Sequence, residues 1–226
     1  MDRRAWLAEL RAAVEKDYTN DAPTYDAGYD PVTLVHRRFV GRLVESCPAD
    51  GTILDVPCGT GPYFAIVMAA GRRVVGGDQS AGMLAEAHAK HPDVRLEKVG
   101  LQELAFDHEF DGVMCIDAME HISPEEWPLV LGNLHRAARP AGQLYLTVEE
   151  VDDGEHDVAL AEAVALGLPA VRGEHTGPET GGYHYYPARD EVRRWLDAEG
   201  LEVVDEADER LDGYGYHHLL LRSRPE

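Results

Sequence analysis

The stretch Ile53-Leu54-Asp55-Val56-Pro57-Cys58-Gly59-Thr60-Gly61 runs from apolar residues through a carboxylate into two glycines spaced by one position. Thr52–Val56 reads as a short buried strand, and a helical pattern begins near Pro62. Between them the backbone must reverse close to a bound molecule with no side chain in the way. Gly59 and Gly61 meet that need, because glycine tolerates positive φ and lets the main chain approach a ligand. The following helix would direct its amide end at that ligand. This is the entrance to a nucleotide-type pocket in an α/β sheet.

Three residues separate the candidate ligands. A dinucleotide fingerprint places a third glycine three positions after Gly61, where pyrophosphate meets the helix; Phe64 stands there instead. Asp55 suits a ligand carrying an ammonium group and would repel phosphate. Downstream, Arg73-Val74-Val75-Gly76-Gly77-Asp78 reads as a second strand ending in an acid. Asp78 lies 17 positions after Gly61, about where a βαβ unit places the carboxylate that grips ribose hydroxyls. Ser80 is a plausible N-cap for the helix that follows.

Outward from this centre, strands at 52–56, 73–77, 94–98, 111–116 and 143–149 alternate with helices near 62–70, 80–90 and 124–138. Such alternation implies a parallel sheet covered on both faces. Strands at 201–208 and 214–222, linked through Leu211-Asp212-Gly213, suit a closing antiparallel hairpin. The expected fold is a Rossmann-like, doubly wound α/β sheet of seven strands, mostly parallel, with helices on both faces. Ahead of it, residues 4–17 have helical spacing, 19–30 read as a polar, tyrosine-bearing connection, and 31–45 as a second helix. The chain divides into an N-terminal helical lid (1–50), a cofactor-binding core (51–150), a substrate-side insertion or flap (151–186) and a C-terminal helix with strand pair (187–226), all within one domain.

Asp55-Val-Pro-Cys-Gly-Thr-Gly61, Gly77-Asp-Gln-Ser-Ala-Gly-Met-Leu84, Phe110-Asp-Gly-Val-Met-Cys-Ile-Asp-Ala-Met-Glu-His-Ile122 and Arg139-Pro-Ala-Gly142 resemble successive motifs of class I S-adenosylmethionine-dependent methyltransferases. They are most similar to the small single-domain branch of quinone-biosynthesis and natural-product tailoring enzymes, over roughly residues 25–222. The resemblance implies S-adenosylmethionine as cofactor and methyl transfer to O, N or C of a small molecule. It places Gly59 and Gly61 at the methionine part, Pro57 in the first loop, Asp78 on the ribose diol, and Gln79 and Met83 beside the adenine. Leu101 and Gln102 would meet the adenine edge. Many relatives carry an acid at position 100, where this chain has Gly100. Asp117 would sit near the amino acid end of the cofactor or the reacting centre, and Tyr25 or Tyr29 would close over the cofactor, an aromatic face suiting a sulfonium cation.

On the substrate side, His121 and His184 are the candidate bases, the latter within Gly181-Gly182-Tyr183-His184-Tyr185-Tyr186, which reads as a hinged aromatic flap. His217-His218 is no chelate, since adjacent strand residues point to opposite faces, and no metal is expected. The acidic run Glu149, Glu150, Asp152, Asp153, Glu155 and Asp157 reads as a solvated linker. Other chemistry on the same cofactor, cyclisation or cyclopropane formation, and a non-catalytic binding role are the alternatives.

Bulk properties agree. The 226 residues suit one large α/β domain. A net charge of −21 disfavours nucleic acid, which needs a basic footprint. No apolar run is long enough to span a membrane. Three cysteines without metal-like spacing suit a reducing, cytoplasmic setting. A monomer or homodimer acting on a small molecule is expected.

Overall fold

The computed structural model describes residues 2–28, 32–177 and 182–224. Its main sheet is built from β1 (Thr52–Asp55), β2 (Arg73–Asp78), β3 (Arg95–Lys98), β4 (Phe110–Cys115), β5 (Ala138–Glu150), β8 (Leu201–Arg210) and β9 (Gly215–Ser223), in the order β3-β2-β1-β4-β5-β9-β8. The first five run parallel, and β9 lies antiparallel between β5 and β8. This is the expected seven-stranded, doubly wound sheet.

The strands read as continuous apolar runs because neighbouring residues bury into opposite faces. Leu54, Val75, Val113, Leu144 and Leu219 join one core with Trp127, Leu131 and Leu134 of α5 (Trp127–Ala137) and Val192 and Leu196 of α7 (Arg189–Ala198). Ile53, Val74, Met114, Tyr145 and Leu220 join the other core. It also contains Phe39 and Leu43 of α2 (Leu34–Ser46) and Phe64 and Val67 of α3 (Phe64–Ala69). The strand order reverses beside β1, so the C-terminal ends of β1 and β4 open a crevice there.

Three elements differ from the expectation. The helix expected over 4–17 continues as α1 over Arg3–Gly28, through Pro23, across the stretch that reads as a polar connection. Polarity misleads here because the inward stripe is sparse: Trp6, Val14 and Ala22 are buried, with Tyr18 packed against the core. Secondly, α3 begins at Phe64 and has only six residues, so the glycine loop is followed by a turn through Pro62 and Tyr63 rather than by a long helix. Thirdly, the segment after α6 (Asp153–Ala165) contains β6 (Glu174–Gly177) and β7 (Gly182–Tyr185), paired antiparallel as a separate ribbon. The side chain of Glu174 is fully buried and accepts from Arg3 and from the Tyr183 hydroxyl, so α1 and this ribbon are tied together.

Helix α1 crosses the C-terminal edge of the sheet and meets α4 (Ala81–Lys90) closely. A Cβ on Gly82 would lie 2.4 Å from the Thr19 carbonyl oxygen, so only glycine permits this crossing. Thr19 and Ser80 exchange a hydroxyl bond of 3.0 Å at the same place. Gly82→Ala is therefore expected to lift α1, seen as faster proteolysis within residues 3–28 and a lower melting temperature. Gly41→Ala in α2, where a Cβ meets nothing within 4 Å, is the control and is expected to be neutral or stabilising by about 1 kcal/mol.

Candidate active site

A cavity of roughly 290 Å³ lies at the switch point, under α1 and beside the β6–β7 ribbon. Its floor is the loop after β1. The Val56–Pro57 peptide is cis, Gly59 and Gly61 take φ of 51° and 78°, and the Cys58 amide donates to the Gly77 carbonyl at 2.8 Å. The Phe64 ring packs against this loop, where a Cβ on Gly61 would lie 2.8 Å from it, and against β2, where a Cβ on Gly76 would lie 2.6 Å away. Phe64 thus fills, behind the cavity wall, the room that a third glycine would leave for close packing of helix on strand. Gly61→Ala combines positive φ with this clash, and a loss of about 2–4 kcal/mol in chemical denaturation is expected.

Asp78 ends β2 at the cavity wall and is only 5 % exposed. One carboxylate oxygen accepts from the Gly59 amide at 2.9 Å and the other from the Ser80 amide at 2.7 Å. Burial raises its pKa to about 6, against the pull of those two amides. Each oxygen keeps a further lone pair for a ligand hydroxyl.

Pro57, Gly59, Gln79, Met83, Leu101, Gln102, Asp117 and Tyr25 also line the cavity, so the structure brings most of the expected cofactor residues to one place. Asp55 and Gly61 are not on its wall. Asp55 is fully buried behind the loop with neither oxygen hydrogen-bonded, and burial together with Asp78 drives its pKa well up. Tyr29 lies outside the described residues. The Gln102 side chain donates to Glu126 at 3.1 Å, and the Leu101 and Gln102 carbonyls both accept from Asn133. The space beside Gly100 is taken by Arg11 of α1, ion-paired to Glu103; a Cβ at position 100 would meet both. The missing acid is thus matched by a cation arriving from the lid.

Asp117 holds φ of 49° just past β4, a conformation aspartate tolerates better than most residues. Thr147 fixes it, its Oγ1 accepting from the Asp117 amide at 2.6 Å and lying 3.2 Å from Oδ1. Two more carboxylates on the wall, Glu120 and Glu149, are raised in pKa. Burial and Glu149 push Glu120 well up, and burial and Asp117 bring Glu149 to about 7. With Asp78 and Asp117 they line the cavity with four carboxyl groups, a cation bound there would favour ionisation of the three whose pKa burial raises, and Arg11 is the one lysine or arginine on the described wall.

Both candidate bases reach the cavity, in different states. The His121 Nδ1–H donates to the Tyr183 carbonyl at 3.0 Å, and its Nε2 accepts from the Tyr18 hydroxyl at 2.9 Å. Both nitrogens are engaged, and burial lowers its pKa. His184 lies with its ring 4.8 Å from that of His121, and its Nδ1 has no partner. Burial, with His121 and His175, lowers its pKa to about 3. Glu149 was hidden in the acidic run that reads as a solvated linker. The structure breaks that run up: Glu149 faces the cavity, Glu150 pairs with Arg189, and Asp153 and Asp157 pair with Arg172. Strand β5 extends through Glu150, so alternation along it points Glu149 inward, a signal available only once the strand end is known.

The raised carboxylates set a sign for pH dependence. Asp78 and Glu149 hold protons in the folded chain that the unfolded chain has released, so their contribution is complete below about pH 4 and is lost as pH rises through 6 and 7. The share of stability from these two groups is expected to fall between about pH 4 and pH 7, so in differential scanning calorimetry Glu149→Gln should gain in melting temperature on the wild type as pH rises through that range.

Residues 53–142 match the family model of a methyltransferase domain. The demethylmenaquinone methyltransferase of Renibacterium salmoninarum is 26% identical over 204 residues, covering 88% of this chain and 84% of that protein. The Streptomyces avermitilis enzyme of the same name is 30% identical over 148 residues, 63% of each chain. Among solved structures, Burkholderia thailandensis 1,6-didemethyltoxoflavin-N1-methyltransferase, with bound 1,6-didemethyltoxoflavin and S-adenosylhomocysteine, superposes with a TM-score of 0.72. It is 20% identical, covering 100% of this chain and 92% of that one. The chain carries a methyltransferase domain, and it is an enzyme that transfers a methyl group from S-adenosylmethionine. No helix among the described residues is long and apolar enough to cross a membrane.

Proposed function

We propose that this enzyme methylates a small-molecule acceptor at O, N or C, with the cofactor lying across the cavity from Asp78 to Glu149. The observation that carries this reading is the carboxyl-lined wall itself. Four carboxylates surround a cavity at the switch point of the sheet, which suits a ligand bearing sulfonium and ammonium cations and disfavours a polyphosphate. When bound, S-adenosylmethionine supplies an electrophilic methyl group.

The remaining roles belong to this chain. Asp78 holds the ribose hydroxyls, Gln79 and Met83 flank the adenine, and Leu101 and Gln102 border its edge. Gly59 and Gly61 shape the loop under the methionine part, while Asp117 faces its amino acid end and Tyr25 closes from α1. Glu149 is the better base for a protonated nucleophile, because a group with pKa near 7 is poised for proton transfer, whereas His184 is held far lower. His121, held at both nitrogens, positions the Tyr18 hydroxyl and the ribbon. Relatives named for menaquinone and ubiquinone biosynthesis favour an aromatic acceptor, and the tyrosines of the wall suit one. Three buried free cysteines fit a cytoplasmic setting.

The test is a panel of hydroxylated and aminated aromatic acceptors with mass spectrometry of both products. Equimolar S-adenosylhomocysteine and an acceptor 14 mass units heavier (about, for one CH₂ added in place of hydrogen) are expected. Tight cofactor binding with no turnover on any member would contradict the reading.

A further inference from the structure

On the α2 face of the sheet, separate from the cavity wall described above, His36 of α2, Glu209 of β8 and His218 of β9 converge. One ring nitrogen of each histidine and one carboxylate oxygen all lie within 4.8 Å of one another. His36 is 1 % exposed and His218 0 %. We propose that these three residues form a binding site for one divalent transition-metal ion of the zinc class.

The hydrogen bonds show which atoms face inward. The His36 Nδ1 and the Glu209 Oε2 both touch Thr33 Oγ1 at 2.9 Å, which puts that nitrogen on the Glu209 side of the ring. The opposite nitrogen, Nε2, lies 3.3 Å from Asp117 Oδ1. In His218 the Nδ1 is held by the Tyr145 hydroxyl at 2.7 Å, while Nε2 has no hydrogen-bond partner and sits 3.4 Å from Glu209 Oε2. Each histidine therefore has its outer nitrogen tied to a carboxylate or a phenol and its inner nitrogen turned toward the same glutamate. That is the arrangement by which proteins fix the tautomer and orientation of metal-bound imidazoles.

Two further features favour a metal over a purely structural cluster. A fully buried imidazole nitrogen without a partner is costly, and coordination would satisfy it. Two histidines and one glutamate are also a known donor set for zinc with an open position. A tetrahedral ion holds its donors about 3.3 Å apart, so His218 and Glu209 are already spaced for it and the third donor must close by at most about 1.5 Å. Rotation of the Thr33 hydroxyl, which now bridges His36 and Glu209, would open the centre. His217 plays no part, since its Nε2 bonds Glu206 at 2.9 Å from the other face of the strand. Through Asp117, which lines the cavity and faces His36, a bound ion would also bear on the active site.

The test uses tag-free, chelator-treated protein titrated with Zn²⁺ against a chromophoric chelator, and with Co²⁺ read by visible absorption. The wild type is expected to take up one equivalent, show cobalt ligand-field bands and melt higher with zinc. His36→Gln and Glu209→Gln are expected to lose affinity by about 100-fold and to lose the cobalt bands, whereas His217→Gln keeps both. S-adenosylhomocysteine binding, measured alongside, reports whether each variant is folded. Should both variants misfold, the wild-type stoichiometry and cobalt spectrum decide alone. Absence of saturable binding at one equivalent, or equal binding by His36→Gln, Glu209→Gln and wild type, would overturn the proposal.

Discussion

Asp78→Ala is expected to weaken S-adenosylhomocysteine binding by about 10- to 100-fold in calorimetry. The estimate follows from the geometry at the end of β2. The carboxylate is 5 % exposed, is aimed by two backbone amides, and keeps lone pairs directed at the cavity. Hydrogen bonds to a charged group contribute about 1.5–3 kcal/mol, and 1.4 kcal/mol is tenfold in affinity. The same substitution frees the Gly59 and Ser80 amides, so the loop itself loses two anchors. Asp78→Asn separates the two effects, because its oxygen can still accept from one amide while the charge is gone. If ribose recognition is the larger part, Asn should restore melting temperature more than affinity. Unchanged affinity in Asp78→Ala would mean that the ribose lies elsewhere.

Glu149→Gln is expected to lower kcat by about 100-fold or more on an acceptor whose nucleophile arrives protonated, with affinity for S-adenosylhomocysteine, which lacks the sulfonium charge, changed little. The acidic limb of the kcat profile, which should fall near pH 7 in the wild type, is expected to disappear. His184→Ala serves as the comparison. A group held at a pKa near 3 contributes little as a proton acceptor, so a modest change, mostly in KM, is expected. If His184→Ala abolishes turnover while Glu149→Gln leaves it intact, the roles given to the two residues are reversed.

Both residues show where sequence reading succeeds and where it stops. Asp78 was legible because its position depends on local structure: a strand, a glycine loop and a helix of ordinary length bring it to the wall. The parallel strands were legible for a similar reason, since burial on both faces leaves unbroken apolar runs such as Ile53-Leu54 and Val74-Val75. Glu149 was not, because its neighbours in sequence are surface carboxylates, and only the length of β5 decides which one turns inward. Helix α1 runs past the end that the polar stretch over 19–30 suggests, because packing of Tyr18 and Ala22 carries the helix on. The β6–β7 ribbon is not legible as strands within the flap over 151–186, since short strands rich in glycine and histidine carry little periodic signal. His36, Glu209 and His218 are joined only by tertiary structure, the first and last lying 182 positions apart.

Phe64 sharpens the meaning of the glycine loop. At the level of sequence it is simply not a glycine; in the structure its ring occupies the space between Gly61 and Gly76. The helix after the loop therefore packs on β2 through a ring where the dinucleotide fingerprint has a glycine, and the cavity opens toward Asp78 and the carboxyl-lined wall.

The most direct test of the central claim is a crystal structure of the protein with S-adenosylhomocysteine. The expected result is one ligand in the cavity beneath α1, ribose hydroxyls on Asp78, adenine beside Met83, and the sulfur turned toward Glu149 and His184. Ligand bound outside that cavity, or a ribose that does not meet Asp78, would contradict it.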